Sequence, residues 1–405
     1  MLILLIFISV LVVTFWKREY GLGAVIVLWP AYLIRTTIHG IPTTALEVSV
    51  YSLVVGFVIR AIVNKDLDLP KLPRWFKVCV AFWIVAWLLA TAFSTDHQAS
   101  LGAFKAWLID PLLFGFVLLS TTQTTKQHQV ILSSVALSGV IVALGGLVQM
   151  VWFRDSLQDG RLSSFFHPVA NYAAMYLGPP LVMTTGALMK HLLAKRWWIA
   201  AGVMVMALAL TVSFGGYLAT GIGLLILWWK WPNKKMKRRS SIAAVIVAIL
   251  GLAILSQTQY LTEKFKTTDR SSGLVRTQIW RTSMEIIKDH PLVGIGPNAY
   301  EKVYRTTIPK LYWPPLEWLV SQPHQLYLAL WLETGLLGLI TFVIFVVFWM
   351  RSLWPQVKSG ESLATISLAA MAVILIHGFV DTPVFKNDLM MVFVVVIVLS
   401  FLQDE

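Results

Sequence analysis

A chain of 405 residues that is 57% hydrophobic and only 13% charged is not a water-soluble composition, since soluble domains carry charge on about a quarter of their residues. Its formal charge of +13 invites a nucleic-acid surface, but the basic residues cluster between apolar runs and mark topology instead. The single cysteine, Cys79, excludes disulfides within the chain and any multi-cysteine metal or cluster site, and reads as a small packed apolar residue.

Apolar runs long enough to cross a hydrocarbon core of about 30 Å recur near 1–16, 20–35, 44–63, 75–93, 106–120, 130–152, 169–189, 197–213, 216–230, 240–256, 325–350, 362–380 and 387–402. The expected fold is therefore all-α: a polytopic integral membrane protein of about 12–13 transmembrane helices, because backbone groups in lipid must find partners within their own helix. A transmembrane barrel would alternate apolar and polar residues, which AVILIHGFV and VFVVVIVLSFL do not. The first run meets Lys17-Arg18-Glu19 with no small-residue cleavage site, so it reads as an anchor. Thirteen spans place the N-terminus outside, and twelve result if two weak early spans form one re-entrant element. Residues 1–405 then make a single membrane domain.

Orientation follows from basic residues in short loops. Placing Lys17, Arg18, the Arg60 to Lys77 loop, Lys190 to Arg196, residues 231–239 and Arg351 to Lys358 inside gathers most of the basic residues that lie outside the long loop. The run Lys234-Lys235-Met236-Lys237-Arg238-Arg239 is the strongest inside marker. It puts residues 257–325, the one long hydrophilic stretch, on the extracytoplasmic side together with 153–168, 214–216 and 381–386. No internal repeat of the kind common in secondary transporters is visible.

Segment 153–168 brings Arg154, Arg161 and His167 to that face. Arg161 can grip a phosphate through its planar fork, or both arginines can pair with Asp155 and Asp159. The long loop holds Lys264, Lys266, Arg270, Arg276, Arg281, Lys288, Lys302, Arg305 and Lys310 among apolar residues. Within it SSGLVRTQIWRTSMEIIKDHP predicts a helix capped by Ser272 and stopped by Pro291, with Val275, Ile279, Ile286 and Ile287 on its apolar side. Arg276 and Trp280 lie one turn apart on it, so the helix reads as amphipathic at the membrane surface, serving a site or simply packing there. The following PLVGIGPN is turn-rich, and its glycines permit close backbone approach.

His324 opens the next span, in a position and with a side chain suited to proton transfer near neutrality. Glu333 lies nine residues further, about 13 Å deeper. A carboxylate there is a functional candidate by default, or else the structural partner of a buried Arg or Trp donor. Asp381, in HGFVDTPVFKND, is a further outer carboxylate that can orient a histidine, bind a sugar hydroxyl or cap the last helix pair. Metalloprotease, ATPase and esterase signatures are absent.

Taken in order, RLSSFFHPVANYAAMYLGP, LTVSFGGYLA, RTQIWRTSMEIIKDHPLVGIGPNAY, PHQLYLALWLETGLLGL and HGFVDTPVFKNDL resemble the O-antigen ligase and polymerase superfamily over residues 160–400. The resemblance implies a metal-independent glycosyltransferase without cofactor, in the bacterial cytoplasmic membrane with its site facing outward. Its implied partners are an undecaprenyl-diphosphate-linked glycan donor, a glycan, lipid or protein acceptor, and membrane lipids, not nucleic acid. In that scheme His324 is the base on the acceptor hydroxyl. Arg276, four residues before Trp280, matches the family's loop arginine on the diphosphate, with Arg161, Arg281 and Arg270 as further diphosphate candidates. Glu333, Asp381 and Trp280 are expected as supports. Two positions depart from the family pattern: Ser213-Phe214-Gly215 stands where members show an arginine between Ser and Gly, and Gln325 follows the histidine where asparagine is common. A polymerase of the same superfamily, a transporter or flippase of polyprenyl-linked glycans drawing on Glu333, Glu47 and Asp110, and an inert carrier-binding relative are the alternatives.

Overall fold

The computed structural model describes residues 2–38, 40–65, 71–153, 157, 160–166, 169–230 and 272–402. Arg154, Asp155, Asp159, His167, the Lys234 to Arg239 run, the span expected at 240–256, Lys264, Lys266 and Arg270 lie outside the described residues.

In chain order the first helices are α1 Leu2–Trp16, α2 Arg18–Val27, α3 Ala45–Asn64, α4 Arg74–Ala92, α5 His97–Phe104 and α6 Asp110–Thr121. There follow α7 Thr125–Trp152, α8 Ala170–Met189, α9 Trp197–Leu210 and α10 Phe214–Trp229. After the break in description come α11 Ser272–Asp289, α12 Tyr300–Leu311, α13 Leu326–Ser359, α14 Ser362–His377 and α15 Asn387–Leu399. Helices α3, α4, the α5–α6 rod, α7 and α13 are long and apolar enough to cross a membrane, and α1, α9, α10, α14 and α15 are shorter apolar helices. The protein is an all-α polytopic membrane protein. Helix α8 lies at the centre, packed on α7, α9, α10 and α14.

Two elements differ from the sequence expectation. The run at 20–35 is not one helix: α2 ends at Val27, Pro30 sits in a 3-10 turn Trp29–Leu33, and a hairpin follows. Its strands β1 Arg35–Ile38 and β2 Ile41–Thr44 pair antiparallel, Arg35 opposite Thr44 and Ile38 opposite Ile41. A proline cannot donate the next helical bond, and the threonine-rich stretch prefers the extended state. Thr44 then caps α3 in a reciprocal box with Glu47. The span expected at 106–120 begins earlier, at His97, because Asp96 accepts from the Ala99 N–H at 3.2 Å and a π-turn at Lys105–Ile109 carries the helix onward.

Helices α11 and α12 form a separate layer at one end of the bundle. Its small core joins Ile279, Ile286, Ile287, Ile295, Tyr300, Tyr304, Ile308, Val320 and Leu332. An isolated helix the length of α11 is marginal in water. Burying each isoleucine contributes about 1.5–3 kcal/mol, so tertiary packing decides that α11 forms. The apolar side expected to lie on the membrane surface is turned into protein: Ile279, Ile286 and Ile287 are almost fully buried.

The turn 291–298 fastens this layer to α13. The helix is broken at Gly335, with φ 70° and ψ −179°, and into that break Leu336 N donates to Leu292 O at 2.9 Å while Ile295 N donates to Leu332 O at 2.8 Å. A Cβ on Gly294 would lie 2.3 Å from the Leu332 carbonyl oxygen, and one on Gly335 2.5 Å from that of Leu292. Both glycines also have positive φ, so neither position accepts a side chain. On the other flank Ser100 Oγ donates to Pro297 O at 2.7 Å and Thr95 N to Ile295 O at 2.9 Å.

Candidate active site

The layer fixes the entry to α13. Trp280 Nε1 donates to the Pro323 carbonyl at 3.1 Å, which accounts for an indole one turn after Arg276. Gln325 caps α13 by accepting from Leu328 N at 2.6 Å, and Leu326 N donates to Gly378 O at 2.7 Å. Between these restraints His324 holds φ 49°, a left-handed conformation costly for a residue with a Cβ and sustained by its neighbours. Gln325 thus serves as a helix cap.

His324 Nδ1 stands 3.0 Å from Asp381 Oδ1. The histidine side chain is 36% exposed and the aspartate 5%. The same Oδ1 accepts from Thr382 N at 3.1 Å. Burial alone would raise the Asp381 carboxyl, but the charge and hydrogen bond of His324, with His377 and Arg276 beyond it, outweigh burial and hold it at about 2. An ionised carboxylate accepting at Nδ1 fixes the proton there and leaves the Nε2 lone pair as the basic one. His377 is one turn before Asp381, whose N–H donates to the His377 carbonyl at 3.0 Å. Sequence reading assigned it no role, although the four-residue spacing to Asp381 on a helix end is visible in the sequence.

Arg276 is half-buried, and its charge acts on both Asp381 and His377. Arg161 reaches the turn between α9 and α10: Nε donates to Thr211 O at 2.8 Å, and one terminal nitrogen donates to Asn171 Oδ1 at 2.8 Å and to Val212 O at 3.3 Å. That turn leads into Ser213, which caps α10 by accepting from Gly216 N at 3.3 Å, and into Phe214, which is exposed. A Cβ on Gly215 would meet Val380 at 2.6 Å, so α10 begins against the Asp381 segment. The segments 160–166, 211–216, 272–325 and 378–386 therefore meet at one end of the bundle.

Arg281 is elsewhere: rotated about 140° from Arg276 on the same helix, it lies on the exposed side of α11. Glu333 is also apart from the pair. It is fully buried, and Oε2 accepts from the Asn298 backbone N–H, so it pins the 291–298 turn to α13. Its donor is a backbone amide rather than the buried side chain that sequence reading offered as a partner.

The arrangement can accept a proton at a partly exposed imidazole and hold negative charge beside arginine. Among the described residues no group of three His, Cys, Asp or Glu is placed to hold a metal ion. Residues 199–343 match a family model described as O-antigen ligase. The chain is also 22% identical over 312 residues to the O-antigen ligase of Salmonella typhimurium, an alignment covering 72% of this chain and 74% of that protein. The family match takes in Arg276, Trp280 and His324, and Arg161 and Asp381 lie outside it.

Proposed function

We propose that the chain, a member of the O-antigen ligase superfamily with the ligase-type glycan transfer this supports, passes a glycan from undecaprenyl diphosphate to an acceptor hydroxyl. The reaction is placed at the extracytoplasmic face of the bacterial cytoplasmic membrane. The supporting observation is the His324–Asp381 pair at 3.0 Å, with the imidazole partly exposed and the carboxylate buried behind it.

In this reading His324 Nε2 takes the proton of the acceptor hydroxyl as its oxygen bonds to the anomeric carbon. The bond from that carbon to the diphosphate oxygen breaks, and the electron pair leaves with undecaprenyl diphosphate. Asp381 keeps the imidazole in the right tautomer and stabilises the imidazolium that forms. Arg276 and Arg161 stabilise the departing diphosphate, where guanidinium forks match phosphate oxygens. Arg161, held at the turn before Phe214, brings a guanidinium from the α7–α8 segment to the place where the resemblance leads one to expect an arginine. Arg270 is a further candidate on the same loop, whereas Arg281 faces away from the pair. Trp280 and Glu333 act through the backbone they hold. The acceptor is a glycan, lipid or protein hydroxyl.

Purified protein in lipid vesicles, given an undecaprenyl diphosphate glycan and candidate acceptors, is expected to transfer the glycan in the presence of EDTA. His324→Ala is expected to abolish transfer without loss of folding, and Arg276→Gln to raise the donor KM. Unchanged transfer by His324→Ala would overturn the assignment of the base.

A further inference from the structure

We propose that the aromatic lobe between α12 and His324, carrying Trp313 and Trp318, is a carbohydrate-binding platform on which a pyranose ring of the acceptor glycan stacks. That the sugar belongs to an acceptor rests on the transfer reading; the platform itself does not.

The lobe is fixed at the site. Leu316 N donates to Gln278 Oε1 at 3.0 Å, and Trp280 Nε1 donates to Pro323 O at 3.1 Å. Gln278 and Trp280 are two residues apart on α11, so residues 316 and 323 are tied to one turn of the same helix. Tyr304 Oη adds a bond to Glu317 O at 3.1 Å from α12. Residues 316–323, which carry Trp318, are held between these anchors, Trp313 packs on Trp318 from just before them, and the last bond is to the residue before the candidate base. A ligand seated on the lobe is therefore held at a set distance from His324.

The surface of the lobe is unlike the rest of its layer. Trp313 is 77% exposed and Trp318 42%, with Leu319 beside them also exposed. The two indoles stand perpendicular, with centroids 5.6 Å apart, so the edge of one supports the other and broad aromatic surface faces outward. Elsewhere the layer exposes single aliphatic residues, Leu274, Met284 and Leu292, among Lys288, Glu301, Lys302, Arg305 and Lys310, and its exposed aromatic rings are those of the lobe. A pyranose has the complementary character: one C–H face that packs on an indole, and a rim of hydroxyls for charged side chains and water.

A bilayer headgroup region is the competing occupant, since tryptophans gather at membrane interfaces. The helix leading into the lobe argues against it. In α12 the apolar residues Tyr300, Tyr304 and Ile308 are buried in the layer's own core, and the opposite side exposes Glu301, Lys302 and Arg305. Apart from Leu311 at its end, that helix exposes no apolar residue to enter lipid.

The test measures binding of two soluble probes, deacylated lipopolysaccharide core oligosaccharide and maltohexaose, to the detergent-solubilised full chain by saturation-transfer NMR. Quenching of tryptophan fluorescence by brominated phosphatidylglycerol in the full chain reconstituted in nanodiscs, wild type against Trp313→Phe and Trp318→Phe, serves as the membrane arm. Wild type and His324→Ala are expected to bind at least one probe, and Trp313→Ala and Trp318→Ala to weaken that binding about tenfold. Trp318→Phe should retain most of it. In the transfer assay the alanine variants should raise the acceptor KM and leave the donor KM unchanged. Should wild type prove inactive in transfer, the NMR result still decides the platform. Failure of both probes to bind, or binding indifferent to both tryptophans, overturns the proposal, as does lipid quenching of Trp313 and Trp318 without sugar binding.

Discussion

Trp280 on α11 donates its indole N–H to the carbonyl of Pro323 at 3.1 Å, so a helix of the long loop holds the backbone one residue before His324. The histidine's left-handed φ of 49° depends on such restraints.

Trp280→Phe keeps an aromatic ring and removes only that donor. A net hydrogen bond of this kind is worth about 1 kcal/mol, so transfer is expected to fall about fivefold to tenfold with the thermal midpoint little changed. Paired measurement of kcat and thermal unfolding in detergent checks this. A loss of midpoint matching the loss of rate would show that the indole serves packing alone.

Glu333 separates a structural carboxylate from a reacting one. Glu333→Gln retains an oxygen that can accept from the Asn298 N–H and is expected to fold and to keep transfer within about threefold of wild type. Glu333→Ala leaves that amide without its acceptor beside a cavity, and is expected to lower stability by about 2–4 kcal/mol. Denaturant titration together with the transfer assay distinguishes them; a Gln variant that folds fully and is inactive would show that ionised Glu333 takes part in the reaction.

The Asp381 carboxyl titrates at about 2 in the folded protein against 3.8 unperturbed. A depressed folded value contributes stability that is fully present above 3.8 and is lost as the pH falls through about 2. At about 1.4 kcal/mol per pH unit, this amounts to about 2–3 kcal/mol. Unfolding followed from neutral to strongly acid pH should show that loss in wild type and not in Asp381→Asn. At neutral pH the same variant is expected to reduce kcat on the order of 100-fold, because the amide no longer holds the basic tautomer of His324. An unchanged acid dependence in Asp381→Asn would remove Asp381 as its source.

Particular residues show how far the sequence reaches. The period of Val275, Ile279, Ile286 and Ile287 located α11 correctly, and the position of His324 ahead of an apolar run placed it at the mouth of a helix. The same reasoning drew 20–35 as one span, where Pro30 and the Arg35–Thr44 hairpin end the helix. Mean hydropathy averages over a window and does not register one missing N–H. It also left the apolar side of α11 facing a membrane, because an inward and a lipid-facing stripe have the same period.

By itself the sequence determined that the chain is helical and membrane-bound, since apolar runs leave the backbone no other solution in lipid. It also supplied the chemical groups, His324, Asp381 and the arginines, and the order in which they occur. The tertiary structure alone decided which of them meet. Asp381 reaches His324 across 57 residues of chain, and Arg161 reaches the Thr211–Val212 turn across 50. Glu333, close to His324 in sequence, is carried along the helix to a backbone amide instead. Side-chain hydrogen bonds act only over about 3 Å, and partners at that range are set by how the helices pack.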